Sequence, residues 1–383
     1  MDNNYDYNYN PFTGEPKYDF YDELVVKDAK RATSRSMLSL VLYTVAGAVL
    51  MNVIDLVIGL VLIYGLGKQE LYVSLANSPI YRILMNSIPM YAAGIPTVLL
   101  LLKSVPKKQK PLEKTRMNIG HLLMMIPIAE FAMVVGNYIG AYISAVYSLV
   151  LGVENNDVVS DLIADVPIPV IILVTVILAP IFEELLFRKL LLERLSVYGS
   201  KFAIIITAVA FGLFHGNLDQ FFYATLVGLV LGYVAVKSGN WLYSVLIHMV
   251  MNLIGGALPT LFYDSIVKYN EFARELFENP TAYSSIPADI ANDVVIGMLY
   301  NSLTSSLAIA GGVFLILGIA KKWFRVDERL SIKIPKKRTA GVVFKNVGSI
   351  LFLVMSGISI VVELFMPMIN QMMQQVSGGG MGV

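Results

Sequence analysis

Apolar residues in this chain come in runs too long and too unbroken for the helices of a soluble domain. Nine stretches, roughly 37–65, 82–102, 118–150, 167–187, 202–217, 220–236, 241–262, 295–320 and 346–368, carry few charges. A helix needs about 20 such residues to cross a bilayer. The fifth and sixth are short and joined by only a few residues, whereas the first and third are long enough to tilt or to extend past the membrane. The pattern predicts an all-α fold, a polytopic membrane helical bundle of about eight or nine transmembrane helices. No inverted repeat of the kind common in transporters is visible.

Between the apolar runs, charge is distributed unevenly. Lys27, Lys30, Arg31 and Arg35 precede the first helix; Lys103, Lys107, Lys108, Lys110, Lys114 and Arg116 fill the 103–116 loop; and 321–338 is strongly basic. The 151–166 loop instead carries Glu154, Asp157, Asp161 and Asp165 with no base, and 263–294 is mainly acidic. Basic loops stay in the cytoplasm, so nine spans with the N-terminus inside satisfy every loop and put the C-terminus outside. Residues 1–36 are polar, rich in Tyr and Asn and of mixed charge, without the order of a secretory signal. They are expected to form a disordered cytoplasmic tail.

Composition narrows the chemistry. Hydrophobic residues make up 56% of the 383 and charged residues 15%, well below the share of a soluble domain. A net charge of +1 gives no global field for nucleic acid, and none is expected as a partner. The absence of cysteine excludes disulfides, thiolate metal sites, a cysteine nucleophile and lipidation of the chain on cysteine.

Ionisable residues inside spans are costly and point to function. Glu183, Glu184 and Arg188 lie at the end of the run VPIPVIILVTVILAP. Glu184 and Arg188 are four apart and share a helix face; Glu183 projects about 100° away. One carboxylate is then available to the guanidinium and the other to a different neighbour, unless the group is a snorkelling interfacial cluster. Pro180 cannot donate to the carbonyl of Val176, which is expected to bend the helix and free an acceptor. A second motif is Phe211-Gly-Leu-Phe-His215-Gly, whose glycines suit close helix packing. A third is His248-Met-Val-Met-Asn252, with both polar side chains on one face, where they can also satisfy each other. Counting rise from the turn near Gly199 puts Glu183 and His215 at similar depth; Asn252 is expected nearer that level than His248, about 5 to 10 Å from His215. Asp55, Glu130, Glu363 and His121 are strays with no assigned role.

Such a set can hydrolyse an amide. A desolvated glutamate beside a histidine takes a proton from water, and a His–Asn pair can donate to an oxyanion. Two histidines and a carboxylate with an open position are also a catalytic zinc set, here Glu183, His215 and His248, although the spacing is not His-Glu-x-x-His.

Glu183-Glu184-x-x-x-Arg188, Phe211-x-x-x-His215 and His248-x-x-x-Asn252, in this order on successive membrane helices, resemble the CPBP family. These are the CAAX prenyl endoproteases and their bacterial Abi-like relatives linked to bacteriocin processing and self-immunity. The resemblance covers about 166–262, flanked by N-terminal helices over 37–165 and a C-terminal loop and helices over 263–383. It implies a glutamate-type intramembrane endopeptidase acting on a membrane-embedded or lipidated peptide or protein, with no cofactor expected and zinc as the alternative. By position it implies Glu183 and His215 as the water-activating pair and His248 and Asn252 as the oxyanion site, with Glu184, Arg188 and Phe211 in support. Lys189 departs from the family, where Gly is common. A bacterial plasma membrane is the implied setting. A non-catalytic immunity or regulatory scaffold and a transporter using intramembrane carboxylates are the competing readings.

Overall fold

The computed structural model describes residues 20–107, 117–152, 165–281, 286–326 and 332–378, and every regular element among them is helical. Eight helices are long and apolar enough to span a membrane, and a ninth, shorter apolar helix lies between the fourth and the fifth of them. We call them in chain order α1 (Asp22–Gly65), α2 (Pro79–Leu102), α3 (Ile119–Val150), α4 (Ile168–Tyr198), α5 (Ser200–Phe214), α6 (Leu218–Ser238), α7 (Leu242–Leu261), α8 (Ala291–Ala320) and α9 (Val347–Met366). The protein is a polytopic helical bundle, an integral membrane protein. An amphipathic helix, Tyr263–Glu278, stands between α7 and α8 and is tied to α8 by Lys268 Nζ on Asp293 Oδ2 at 2.5 Å. Some of the charged loop residues that predict orientation, Lys108, Lys110, Lys114, Arg116, Glu154, Asp157 and Asp161 among them, lie outside the described residues.

One expectation is corrected at the N-terminus. The polar stretch expected to be a disordered tail is helical from Phe20 onward, and one helix continues through Gly59. The reason is a stripe the overall composition hides: Val25, Ala29, Ala32, Thr33 and Ser36 are all buried at helical spacing. These small residues let α9 approach closely. A Cβ on Gly348 would sit 1.8 Å from the Ser34 carbonyl oxygen, and the Gly348 N–H donates to Ser34 Oγ at 3.0 Å. Residues 1–19 lie outside the described residues.

Two packed clusters surround the middle of the chain. One joins Leu40 and Tyr43 of α1, Val98 and Leu102 of α2, Phe187 and Leu191 of α4, Phe211 of α5 and Phe352 of α9. The other joins Met125 and Ala129 of α3, Leu195 of α4, Ala203 of α5, Leu231 of α6 and Ile247 of α7. α4 and α5 contribute to both clusters. The outer helices show apolar surface instead, with Val49 and Val53 on α1, Ile309 and Ile316 on α8 and Val354 and Ile358 on α9 exposed, as lipid-facing positions should be.

Gly348→Ala should therefore destabilise the α1–α9 contact by about 1–3 kcal/mol, the usual cost of overpacking. Gly357→Ala, on the same helix with nothing within 4 Å of its added methyl, should be neutral or slightly stabilising. Thermal unfolding of the two variants in detergent checks the contrast.

Candidate active site

α4 carries the glutamates, and its backbone explains their placement. It is not uniformly α: Ile172–Leu178 and Leu185–Leu192 are wide π turns on either side of Ala179–Glu184. Single-turn π insertions are rare and concentrate at functional sites. In the first wide segment the N–H of Ala179 donates to the carbonyl of Val174, five residues back. In that register the next N–H would serve Thr175, but residue 180 is a proline. The carbonyl released is thus that of Thr175, not of Val176 as α-helical counting predicts. Asn252 Nδ2 donates to it at 2.8 Å.

Glu184 and Arg188 lie one turn apart, as expected, and the side chains of both are wholly buried. Arg188 Nε is 3.2 Å from Glu184 Oε2. The guanidinium carbon lies 5.0 Å from the Phe211 ring centroid and 5.9 Å from that of Phe187, so aromatic faces cover much of what the carboxylate does not. Glu184 Oε1 meets His248 Nδ1 at 3.1 Å. A carboxylate held by a guanidinium accepts from that nitrogen, which places the ring proton on Nδ1. His248 Nε2 then faces Glu183 Oε2 at 3.6 Å, beyond direct hydrogen-bond length. The Glu183 side chain keeps 21% of its surface exposed, and so it is the reachable carboxylate of the pair.

Phe211 organises the histidines. Its ring meets that of His215 at 5.0 Å and that of His248 at 5.7 Å, both edge-on. His215 ends α5, where Gly216 turns with φ of +71°, and the carbonyl of His215 accepts from Asn217 Nδ2 at 3.2 Å. A Cβ on Gly212 would lie 2.1 Å from Thr225 Oγ1, so this glycine serves close α5–α6 packing, as its spacing predicts. The depth order of the third motif is reversed from the expectation. His248 stands level with the glutamates, and Asn252 pairs with Thr175, two turns earlier on α4, rather than with His248. The wide turns of α4 break the uniform rise on which the count relied. Among the described residues His215 makes no ion pair with either glutamate.

Two residues with no sequence signal join this region. The Tyr91 ring stacks on Phe182 at 4.1 Å and 15°, and the Tyr43 ring meets Phe214 at 5.5 Å. Both tyrosines are within electrostatic range of Glu183. They come from α1 and α2, and nothing distinguishes them in a chain with 21 tyrosines. The strays separate. Asp55 accepts from Tyr81 at 2.7 Å and Tyr72 at 3.1 Å; His121 is 3.4 Å from the Tyr233 hydroxyl; and Glu130 is buried with no hydrogen bond to Oε2. Lys189, the departure from the family pattern, pairs with Glu193 at 2.5 Å on the half-buried side of α4.

Residues 165–254, the stretch that holds all three motifs, match the family model described as type II CAAX prenyl endopeptidase Rce1-like. These residues are thus similar to the Rce1-like family. A Bacillus subtilis (strain 168) protein named "Putative membrane peptidase YdiL" is 28% identical over 172 residues, 43% of this chain and 68% of that protein. The UPF0177 protein YxdF of Lactococcus lactis subsp. lactis (strain IL1403) is 26% identical over 163 residues, 42% of this chain and 90% of that protein. No solved structure matches the chain. These likenesses are consistent with the CPBP family.

Residues 165–254 do not bring the zinc set together. His248 directs both ring nitrogens at carboxylates, and among the described residues no three His, Asp or Glu side chains are spaced to hold a metal ion.

The buried ion pair generates a stability prediction. Glu184→Gln leaves the Arg188 charge without its counter-ion and should cost about 3–5 kcal/mol. The double variant Glu184→Leu/Arg188→Met, which removes both charges, should be less destabilised than Glu184→Gln. Unfolding midpoints in detergent check the order, independently of activity.

Proposed function

We propose that this protein is an intramembrane endopeptidase that hydrolyses a peptide bond of a membrane-embedded or lipidated substrate, with Glu183 as general base. The observation that carries the reading is the division of labour between adjacent carboxylates. Arg188 and His248 Nδ1 engage Glu184 in a dry site, while Glu183 stays partly exposed beside His248 Nε2. A pair of acids with separated environments is the arrangement that assigns one to structure and one to proton transfer. The Rce1-like match and the name of the Bacillus relative support the same reaction class.

In this mechanism Glu183 takes a proton from water as the oxygen attacks the peptide carbonyl. His215, packed on Phe211, is the second water-orienting group the family resemblance implies. The tetrahedral adduct collapses as the C–N bond breaks, and Glu183 returns its proton to the leaving amine. The aromatic walls formed by Phe182, Phe187, Phe211 and Phe214 exclude bulk water, which strengthens each of these interactions. The setting is a bacterial plasma membrane with the N-terminus in the cytoplasm, in keeping with the basic and acidic loops.

The test is endoproteolysis by purified protein in detergent on a set of farnesylated and unmodified membrane peptides. Glu183→Gln should reduce cleavage by at least about 10²-fold, the usual worth of a general base, and His215→Ala should also abolish it, with both variants folded. Cleavage that survives both substitutions contradicts the reading. Loss of activity with chelator, restored by zinc, would move the mechanism to a metal.

A further inference from the structure

Two prolines in the Rce1-like region and its flank pose the same backbone problem, and the protein solves it the same way twice. The first is Pro180 on α4, whose missing N–H releases the Thr175 carbonyl. The second is Pro259 on α7. There Leu253–Ala257 is again a π segment, and the N–H of Leu258 donates to the carbonyl of Leu253, five residues back. The next N–H in that register would serve Ile254, but residue 259 is a proline. The Ile254 carbonyl accepts instead from the Tyr300 hydroxyl of α8 at 3.1 Å. In each case a wide turn ends on a proline, and a side chain from the adjoining helix meets the orphaned acceptor.

The two closures are linked in series. Tyr300 fixes the segment of α7 that begins directly after Asn252. Asn252 fixes the segment of α4 that ends directly before Ala179–Glu184, the turn that carries Glu183. An unpaired carbonyl at membrane depth is costly enough to demand such partners. We infer that Asn252 is a positioning residue: it closes the carbonyl released by Pro180, and so sets the height and rotation of Glu183 against His248. The inference rests on the proposed role of Glu183. It differs from the oxyanion role that the family resemblance implies for Asn252, because one of the two amide N–H groups is committed to a backbone acceptor, which turns the side chain toward α4.

A double-mutant cycle on the full-length protein decides it. Pro180→Ala supplies the missing N–H, so the Thr175 carbonyl no longer depends on Asn252. Asn252→Ala alone should raise the unfolding equilibrium constant roughly tenfold, the usual effect of a buried acceptor left unsatisfied. Added to Pro180→Ala it should change that constant by no more than about twofold. If Asn252→Ala fails to accumulate, accumulation of the double variant supports the inference, and failure of both overturns it. On a cleaved farnesylated or unmodified membrane peptide, Asn252→Ala should lower kcat by roughly tenfold or more with KM within about threefold, and Pro180→Ala should restore kcat. An equal fall in kcat in both backgrounds would show that the amide acts on the substrate and would overturn the inference, as would an unfolding constant indifferent to Asn252. Should no peptide be cleaved by the unsubstituted protein, the proposed reaction fails while the folding cycle still decides the role of Asn252.

Discussion

The site depends on one buried cation. Arg188 is enclosed by protein, and a charge in that position survives only with a counter-ion and favourable surroundings. Glu184 supplies the counter-ion, and the faces of Phe211 and Phe187 supply much of the rest. Everything nearer the chemistry follows from this arrangement. A carboxylate tied to Arg188 can orient His248 through Nδ1, and an oriented His248 presents Nε2 to Glu183. Phe211 links the ion pair to His215, because the same ring meets the guanidinium and both histidines. The candidate site is thus built outward from a structural charge, with the partly exposed carboxylate of Glu183 at its periphery.

The backbone supports the same centre from the other direction. A helix of uniform α geometry would place Glu183 by residue count alone. The wide turns of α4 replace that regularity with two local departures, and the first is closed by a side chain of α7. Helices that carry such departures need neighbours to satisfy them, so α4, α7 and α8 form a dependent series rather than independent rods. The outer helices pack by simpler means: glycine on α9 against serine on α1, and apolar faces toward lipid.

How much of this was legible in the sequence varies with the physics involved. Hydropathy located the spanning helices, including the short one that ends at His215, because lipid imposes length and apolarity on every span. The Glu184–Arg188 pair was legible from its spacing, because two side chains four residues apart meet on any helix. Depth was not legible. The count that put Asn252 nearer to Glu183 assumed one rise per residue, and π turns leave no mark in composition. Pro180 signalled a free carbonyl correctly, but the wide register moved it from Val176 to Thr175. Tyr43 and Tyr91 were invisible for another reason: a tyrosine in an apolar run has no pattern until tertiary packing brings it to a site. The helical stripe Val25-Ala29-Ala32-Thr33-Ser36 was present but masked by the surrounding charge.

The central claim is that His248 is oriented by Glu184 through Nδ1 and offers Nε2 to Glu183. Nitrogen-15 NMR of histidine-labelled protein tests it directly, since the chain has only three histidines and comparison with His248→Gln assigns the signals. The account predicts a protonated, hydrogen-bonded Nδ1 on His248 at neutral pH that persists in Glu183→Gln. A bare Nδ1 with the proton on Nε2, or an Nδ1 proton lost on substituting Glu183, would contradict it.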